Sequence, residues 1–456
     1  MATIFARRAL TGKVWQADVV VEIAADGRIA DVSSGVHPGA DNVSVDVLLP
    51  APANLHSHTF QRAMAGLSEA RGPSVHDSFW TWREIMYRFL DILSPEEIEA
   101  IAALAFMEMQ EAGFAAAAEF HYLHHRPRGL PYDDLGELSA RIAAAAGETG
   151  IGLTLLPVHY AQGGVDGRPL GGGQLRFGND LDRYMKLADQ AAGLAASLPA
   201  DAATGLAPHS LRAVGASDLK HLAEHRGTQP FHMHIAEQEK ELEETLAAYG
   251  ARPVEWLLDN VAVDHRWCLI HCTHMQPAET EGLAASGAVA GLCPVTEANL
   301  GDGIFDGARF LAAGGAFGIG SDSNIRITVA GELRQLEYSQ RLRDRLRVVL
   351  AGAGESSGRK LYDTALAGGA RALGRQAGAI APGMWADLVA LDLSRSSLFG
   401  LDADRFLDGW LFAGGNDAVS DVWSAGRHMV RDGRHVRRDA ITARYRKCMN
   451  AVMARL

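Results

Sequence analysis

Apolar residues along this chain fall into short runs separated by polar turns, and the rhythm of those runs changes twice. As far as about residue 46, brief β patterns alternate with turns: Thr3-Ile4-Phe5, then Ala17 to Ile23, then Arg28 to Val32 after the turn signal Ala25-Asp26-Gly27. From Val47 to about residue 375 the runs lengthen, and Ala-, Leu- and Glu-rich stretches of helical composition separate most of them, such as Pro95 to Ala112 and Glu237 to Tyr249. Eight of these runs read as strands: Val47 to Leu55, Phe114 to Tyr122, Ile151 to Val158, Gly205 to His209, Pro230 to His234, Trp267 to His271, Ala288 to Cys293, and Ala316 to Ser321. Further on, Ala386 to Leu391 and Asp421 to Arg427 read as strands again, with Arg431-Asp432-Gly433 as a turn.

Alternating strands and helices in about eight units predict an α/β fold, a (β/α)8 barrel of the TIM type. The short strands at the two ends cannot stand alone, so they are expected to pair with each other in one small β domain beside the barrel. The expected division is 1–48 for the N-terminal part of that domain, 49–375 for the catalytic barrel, and 376–456 for the C-terminal part with a terminal helix. Chemistry in such barrels sits at the carboxyl ends of the strands.

Composition narrows the class. A chain of 456 residues, 48% hydrophobic with 49 glycines, buries a large core and fits a globular enzyme. The net charge of −12 argues against nucleic acid as a partner, although a pocket can carry local arginines against the global sign. Cys268, Cys272, Cys293 and Cys448 show neither zinc-finger nor disulfide-framework spacing, which fits a reducing cytoplasm. No run approaches the roughly 18 apolar residues of a membrane span, and no secretory pattern opens the sequence, so no membrane partner is expected.

The first of the eight runs closes on Asn54-Leu55-His56-Ser57-His58. Side chains two apart on a strand share a face, so His56 and His58 point the same way and make half of a metal site. His234, where the fifth strand passes into a helix, can supply a third nitrogen, and Glu237 can reach the same place without ligating. The sixth strand ends in His271. The eighth ends in Ser321-Asp322, whose carboxylate can ligate a metal and also take a proton from water. Each residue also fits a plain structural role: a satisfied core histidine, a first-turn helix charge at Glu237, an N-cap at Asp322. Six such groups at one edge of one barrel favour chemistry.

His56-x-His58, His234 with Glu237, His271 and Asp322, in this order, resemble the amidohydrolase superfamily in its single-metal deaminase branch. Ile380-Ala381-Pro382-Gly383 followed by Ala386 to Val389 looks like that superfamily's returning β-sandwich strand. Within the branch, Asn54 to Arg62 and Glu119-Phe120-His121-Tyr122 look like the formimidoylglutamate deiminases of histidine degradation. The resemblance covers essentially the whole chain. It implies one zinc ion per chain on His56, His58, His234 and Asp322. It also implies catalytic roles for Glu237, His271 and Asp322, a small dicarboxylate substrate that loses its imino nitrogen as ammonia, and a homodimer.

Two carboxylates call for arginines, whose forked donors match them. Arg83, in Trp80-Thr81-Trp82-Arg83, and Arg212, just past the fourth strand, match positions that bind substrate carboxylates in the resembled family. Gln61, Tyr122 and His209 match its other polar pocket positions. The long aromatic segment Gln61 to Leu93 is expected to cover the pocket or form a subunit contact, and the glycine-rich Gln162 to Gly178 suits a mobile lid. His121, His124 and His125 are assigned to the surface or the pocket rim, because His209 stands where a two-metal site would need a lysine. A deaminase of cyclic amidines would favour an aromatic slot over paired arginines, and a barrel that had lost catalysis would lack at least one of the residues above.

Overall fold

The computed structural model describes residues 2–70, 78–225 and 227–456. The chain opens with β1 (Ala2–Thr11), β2 (Val14–Ile23), β3 (Ile29–Ser34) and β4 (Val43–Pro50). The central region carries β5 (Ala53–Ser57), β6 (Ala116–His121), β7 (Gly152–His159), β8 (Ala203–Thr204), β9 (Ala207–Pro208), β10 (Phe231–Ile235), β11 (Trp267–His271), β12 (Val289–Leu292) and β13 (Ala316–Ile319). The tail adds β14 (Leu388–Leu391), β15 (Val419–Ser424), β16 (Arg427–Arg431) and β17 (Arg434–His435).

The central strands form two parallel sheets, β5-β6-β7-β8 with β9 also on β7, and β10-β11-β12-β13. Parallel bridges between Leu206 and Phe231, and between Ser57 and Asp322, join the two sheets at both of their edges. All carboxyl ends therefore face one side, and His56, His234, His271 and Asp322 gather there.

Two strand expectations need correction. The run Val47 to Leu55 is not one strand: β4 belongs to the terminal sheet and β5 to the parallel one. Pro50 and Pro52 flank the break, and a proline offers no N–H to a ladder, so the chain changes sheets between them. The run Gly205 to His209 shrinks to two-residue strands on either side of Gly205. A Cβ there would collide with the Pro230 carbonyl, so only glycine lets the backbones approach. Elsewhere the elements lie close to their expected ranges, except that Asp421 to Arg427 is a hairpin, with Ala425-Gly426 turning β15 back into β16 and Ser424 paired with Arg427. Helix Pro95–Glu111 starts on a reciprocal cap, with Ser94 Oγ accepting from Glu97 N at 3.3 Å and Glu97 Oε2 accepting from Ser94 N at 2.9 Å.

The two termini do pair, in a single eight-stranded sheet ordered β17-β16-β15-β14-β4-β1-β2-β3. Its faces alternate. Leu388 and Ala390 of β14 pack with Ile4, Val21 and Ile23 in a core of their own, while Val389 and Leu391 join the large core of the central region. Ion pairs tie this sheet to the parallel strands: buried Arg375 bonds both carboxylate oxygens of Asp387, at 2.5 and 2.9 Å, and Asp201 Oδ2 at 2.9 Å, and Arg427 grips Asp201 at 2.7 Å through both of its terminal nitrogens.

Within the segment Gln61 to Leu93, helix Phe79–Leu90 is formed, while residues 71–77 lie outside the described residues. The stretch Gln162 to Gly178 ends in a 3-10 turn whose Arg176 is fully buried and donates to the carbonyls of His125, at 2.7 Å, and Leu90. That anchor fixes the carboxyl half of the expected lid. All four cysteines are free and buried, and among the described residues no helix is long and apolar enough to cross a membrane.

Candidate active site

Backbone strain concentrates where the strands of the parallel sheets end. Ala236, His271, Cys272, Asp322 and Asn324 all have positive φ, between 47° and 74°. Non-glycine residues hold such angles only when their surroundings insist. Here they do. Asn54 Oδ1 accepts from Ser321 N at 3.0 Å, Asn324 Nδ2 donates to Ser57 Oγ and to the His58 carbonyl, both at 3.1 Å, and buried Glu241 accepts the N–H groups of Ala236 and Glu237 at 3.1 and 3.2 Å.

That framework brings His56, His58 and His234 together. Their Nε2 atoms converge, with His58 and His234 each 3.1 Å from His56, and Asp322 Oδ1 stands 3.3 Å from His58 and 3.5 Å from His56. His58 Nδ1 faces the Phe120 carbonyl at 2.9 Å and His234 Nδ1 the His209 carbonyl at 3.1 Å. A carbonyl can only accept, so both rings carry their proton on Nδ1 and aim a bare Nε2 at the shared point. Burial holds His56 and His234 well below the ordinary histidine range and brings His58 down to about 3, so all three are neutral, the form that ligates. Lone pairs packed this closely, with a carboxylate beside them, fit a divalent cation.

Next to this cluster His271 Nε2 lies 3.9 Å from both Glu237 Oε1 and Asp322 Oδ2. Burial alone would lower its pKa, but the bond to Glu297 and the charges of Glu237 and Asp322 raise it to about 10. Asp322 is pushed up to about 7 by burial, with the His271 charge opposing. Glu237 is equally buried, yet the Arg212 guanidinium holds it below the usual carboxylate range.

His58, His234, His271 and Asp322 line a cavity of about 770 Å³. Gln61, Arg83, Tyr122, His209 and Arg212 all line it, together with Phe79, Trp80 and Tyr87 from the aromatic segment. Gln61 Nε2 donates to Tyr122 Oη at 2.7 Å, and Arg83 Nη2 donates to Tyr160 Oη at 2.9 Å. Arg212 donates to Glu237 at 2.7 Å, and its Nε, buried and unpaired, points toward Glu241 at 3.8 Å.

Sequence reasoning misplaced three histidines and missed two glutamates. His121, His124 and His125 are neither on the surface nor on the rim: all are buried, and His124 and His125 bond the carbonyls of Val158 and Gly178. A cluster of polar side chains reads as exposed until the loop carbonyls that satisfy it are known. Glu241 and Glu297 look like ordinary helix charges. The available signal for Glu297 was a carboxylate three residues after Pro294, at the start of the helix that follows β12, where helix starts face the site.

A family model described as the Amidohydrolase family matches residues 47–429. The chain belongs to that family. A second model, Formimidoylglutamate deiminase HutF, N-terminal domain, matches residues 1–44. Among similar amidohydrolases, a formimidoylglutamate deiminase of Pseudomonas aeruginosa is 52% identical over 95% of this chain and 96% of its own length. An 8-oxoguanine deaminase of the same organism is 28% identical over 95% of this chain and 94% of its own length. The crystal structure of an amidohydrolase from Brucella melitensis superposes with a TM-score of 0.95 at 48% identity, covering 99% of this chain and 100% of that one. An adenosine deaminase from Xanthomonas campestris, solved with bound zinc, shares the fold at a TM-score of 0.83 and 22% identity, over 99% of this chain and 98% of its own.

Proposed function

We propose that this amidohydrolase hydrolyses N-formimino-L-glutamate to N-formyl-L-glutamate and ammonia, a step of histidine degradation. The observation that carries this reading is one cavity lined both by His58 and His234 of the three-imidazole cluster and by two arginines, Arg83 and Arg212. A substrate with a hydrolysable amidine at one end and two carboxylates needs that combination. The 52% identical deiminase supports it independently. The two bridged parallel sheets read as a (β/α)8 barrel that begins after Pro50 and runs to about 375, flanked by a β domain of both termini with a separate core around Ile4 and Leu388. Four free, buried cysteines fit a cytoplasmic enzyme.

His56, His58, His234 and Asp322 would hold one zinc ion. When bound, such an ion supplies Lewis acidity, bringing the pKa of a coordinated water to about 7. Arg83 and Arg212 grip the substrate carboxylates, with Gln61, Tyr122 and His209 completing the polar wall. Asp322 takes a proton from the water that attacks the formimino carbon. Glu237, ionised at rest, relays to the imino nitrogen the protons that water gives up, the first on attack through Asp322 and the second as the tetrahedral hydroxyl becomes the formyl carbonyl, so that the nitrogen leaves as ammonia. His271, with Nε2 between these two carboxylates, steadies the charge developing on the tetrahedral centre.

The test is ammonia release from N-formimino-L-glutamate by the zinc-loaded protein, with Asp322→Asn as control. Release that the variant abolishes supports the reaction and the substrate together. No release from protein carrying one metal ion per chain would move the substrate to cyclic amidines such as guanine.

A further inference from the structure

We infer that Glu297 is a positioning residue for His271, accepting its Nδ1 proton and so holding Nε2 toward the reacting centre. This deepens the reading above and rests on His271 being a catalytic group.

The geometry has two sides. On one edge of the ring Nε2 faces Glu237 and Asp322, each at 3.9 Å. On the other edge Nδ1 lies 3.2 Å from Glu297 Oε1, and both residues are buried. Glu297 Oε1, which already accepts the Cys293 N–H, accepts the ring's Nδ1–H as well, and that bond fixes the heading of Nε2. His271 closes β11 with φ 74°, and Cys272 follows at 53°. The ladder to Ile235 of β10 sets the backbone there but not the side-chain torsions of the ring, so a side-chain partner must fix its heading. Glu297 is itself held: the same Oε1 accepts the N–H of Cys293 at 2.8 Å, which ties the carboxylate to the end of β12.

Two other roles compete. Glu297 closes the first turn of its own helix, as a capping glutamate does. With Cys293 Sγ and His271 Nδ1 it also forms a second compact group able to hold a cation.

The experiment uses the full-length, metal-loaded enzyme and its Glu297→Gln and Glu297→Leu variants, each in the wild-type and His271→Asn backgrounds. Glutamine keeps the acceptor oxygen and the cap and loses only the charge, so kcat is expected to fall about tenfold with KM within about twofold, whereas leucine removes the acceptor and lowers kcat about a hundredfold, the range of lost outer-shell partners. In the His271→Asn background, Glu297→Leu should cost nothing further. A downfield imidazole proton, assigned by its loss in His271→Asn, should disappear in Glu297→Leu as well. Wild-type kcat in Glu297→Leu, an equal loss in both backgrounds, or a second metal ion lost with Glu297 would overturn the inference. The imidazole proton separates the two claims: if it behaves as stated in a protein that releases no ammonia, the positioning stands and the proposed substrate fails.

Discussion

Arg212 Nη2 stands 2.7 Å from Glu237 Oε2, so the proposed carboxylate clamp and the proposed proton donor are partners before any substrate arrives. The pair is buried, and Arg212 keeps Glu237 ionised where burial alone would neutralise it. An incoming carboxylate competes for the same guanidinium. Substrate binding and proton transfer are thereby coupled through one side chain.

Replacing Arg212 with Met is expected to disturb both steps. A charge-assisted bond to substrate of about 1.5–3 kcal/mol is lost, which raises KM by one to two orders of magnitude. Glu237 is left buried without its counter-ion, so its pKa rises and kcat falls too. Steady-state kinetics near neutral pH resolve the two effects. An unchanged KM would remove Arg212 from the substrate site.

Glu237→Gln keeps the shape of the site and a hydrogen-bond acceptor for Arg212 while removing the capacity to take up and pass on a proton. General acid-base groups contribute about 10²–10⁴-fold, so kcat should fall by that order. KM should not rise, because Arg212 is freed from a competing charge. Full activity would exclude Glu237 from proton transfer.

The parts of this site that could be read from sequence are those fixed by strand ends. His56-x-His58, His234, His271 and Asp322 each close an apolar run, and a parallel sheet delivers all such ends to one side. Hydropathy could not show that Val47 to Leu55 serves two different sheets, because both are buried and only Pro50 and Pro52 mark the transfer. Nor could it pair Arg212 with Glu237, which lie on separate strand-end loops, or turn Glu297 inward toward His271. Contacts between loops depend on how the sheets bring strand ends together, and no local pattern carries that.

Metal removal should loosen the protein as well as silence it. His58 and His234 each aim a bare Nε2 at His56 Nε2 from 3.1 Å, and lone pairs at that spacing repel unless a cation accepts them. A ligand present at about 1,000 times its Kd stabilises by about 4 kcal/mol, so calorimetry should show Tm rising on adding zinc to chelated protein. His56→Ala should abolish most of that rise. A Tm indifferent to both chelation and zinc would refute a cation at this cluster.

The contact between the terminal sheet and the parallel strands predicts a pH signature. Asp201 is buried, which alone would raise its pKa, yet the bonds and charges of Arg427 and Arg375 hold it below the usual carboxylate range. A depressed folded pKa contributes stability that is fully present above the unfolded value of about 3.9 and is lost as pH falls through the folded one. Asp201→Asn should therefore cost about 3–5 kcal/mol near neutral pH, the scale for breaking a buried ion pair from one side. That deficit should stay constant from about pH 7 to 5 and shrink below about pH 4, as the wild-type carboxylate takes up its proton and comes to resemble the amide. Urea denaturation of both proteins across this range measures it. A deficit that persists unchanged into acid would mean that the Asp201 contact is held by shape and hydrogen bonds rather than by charge.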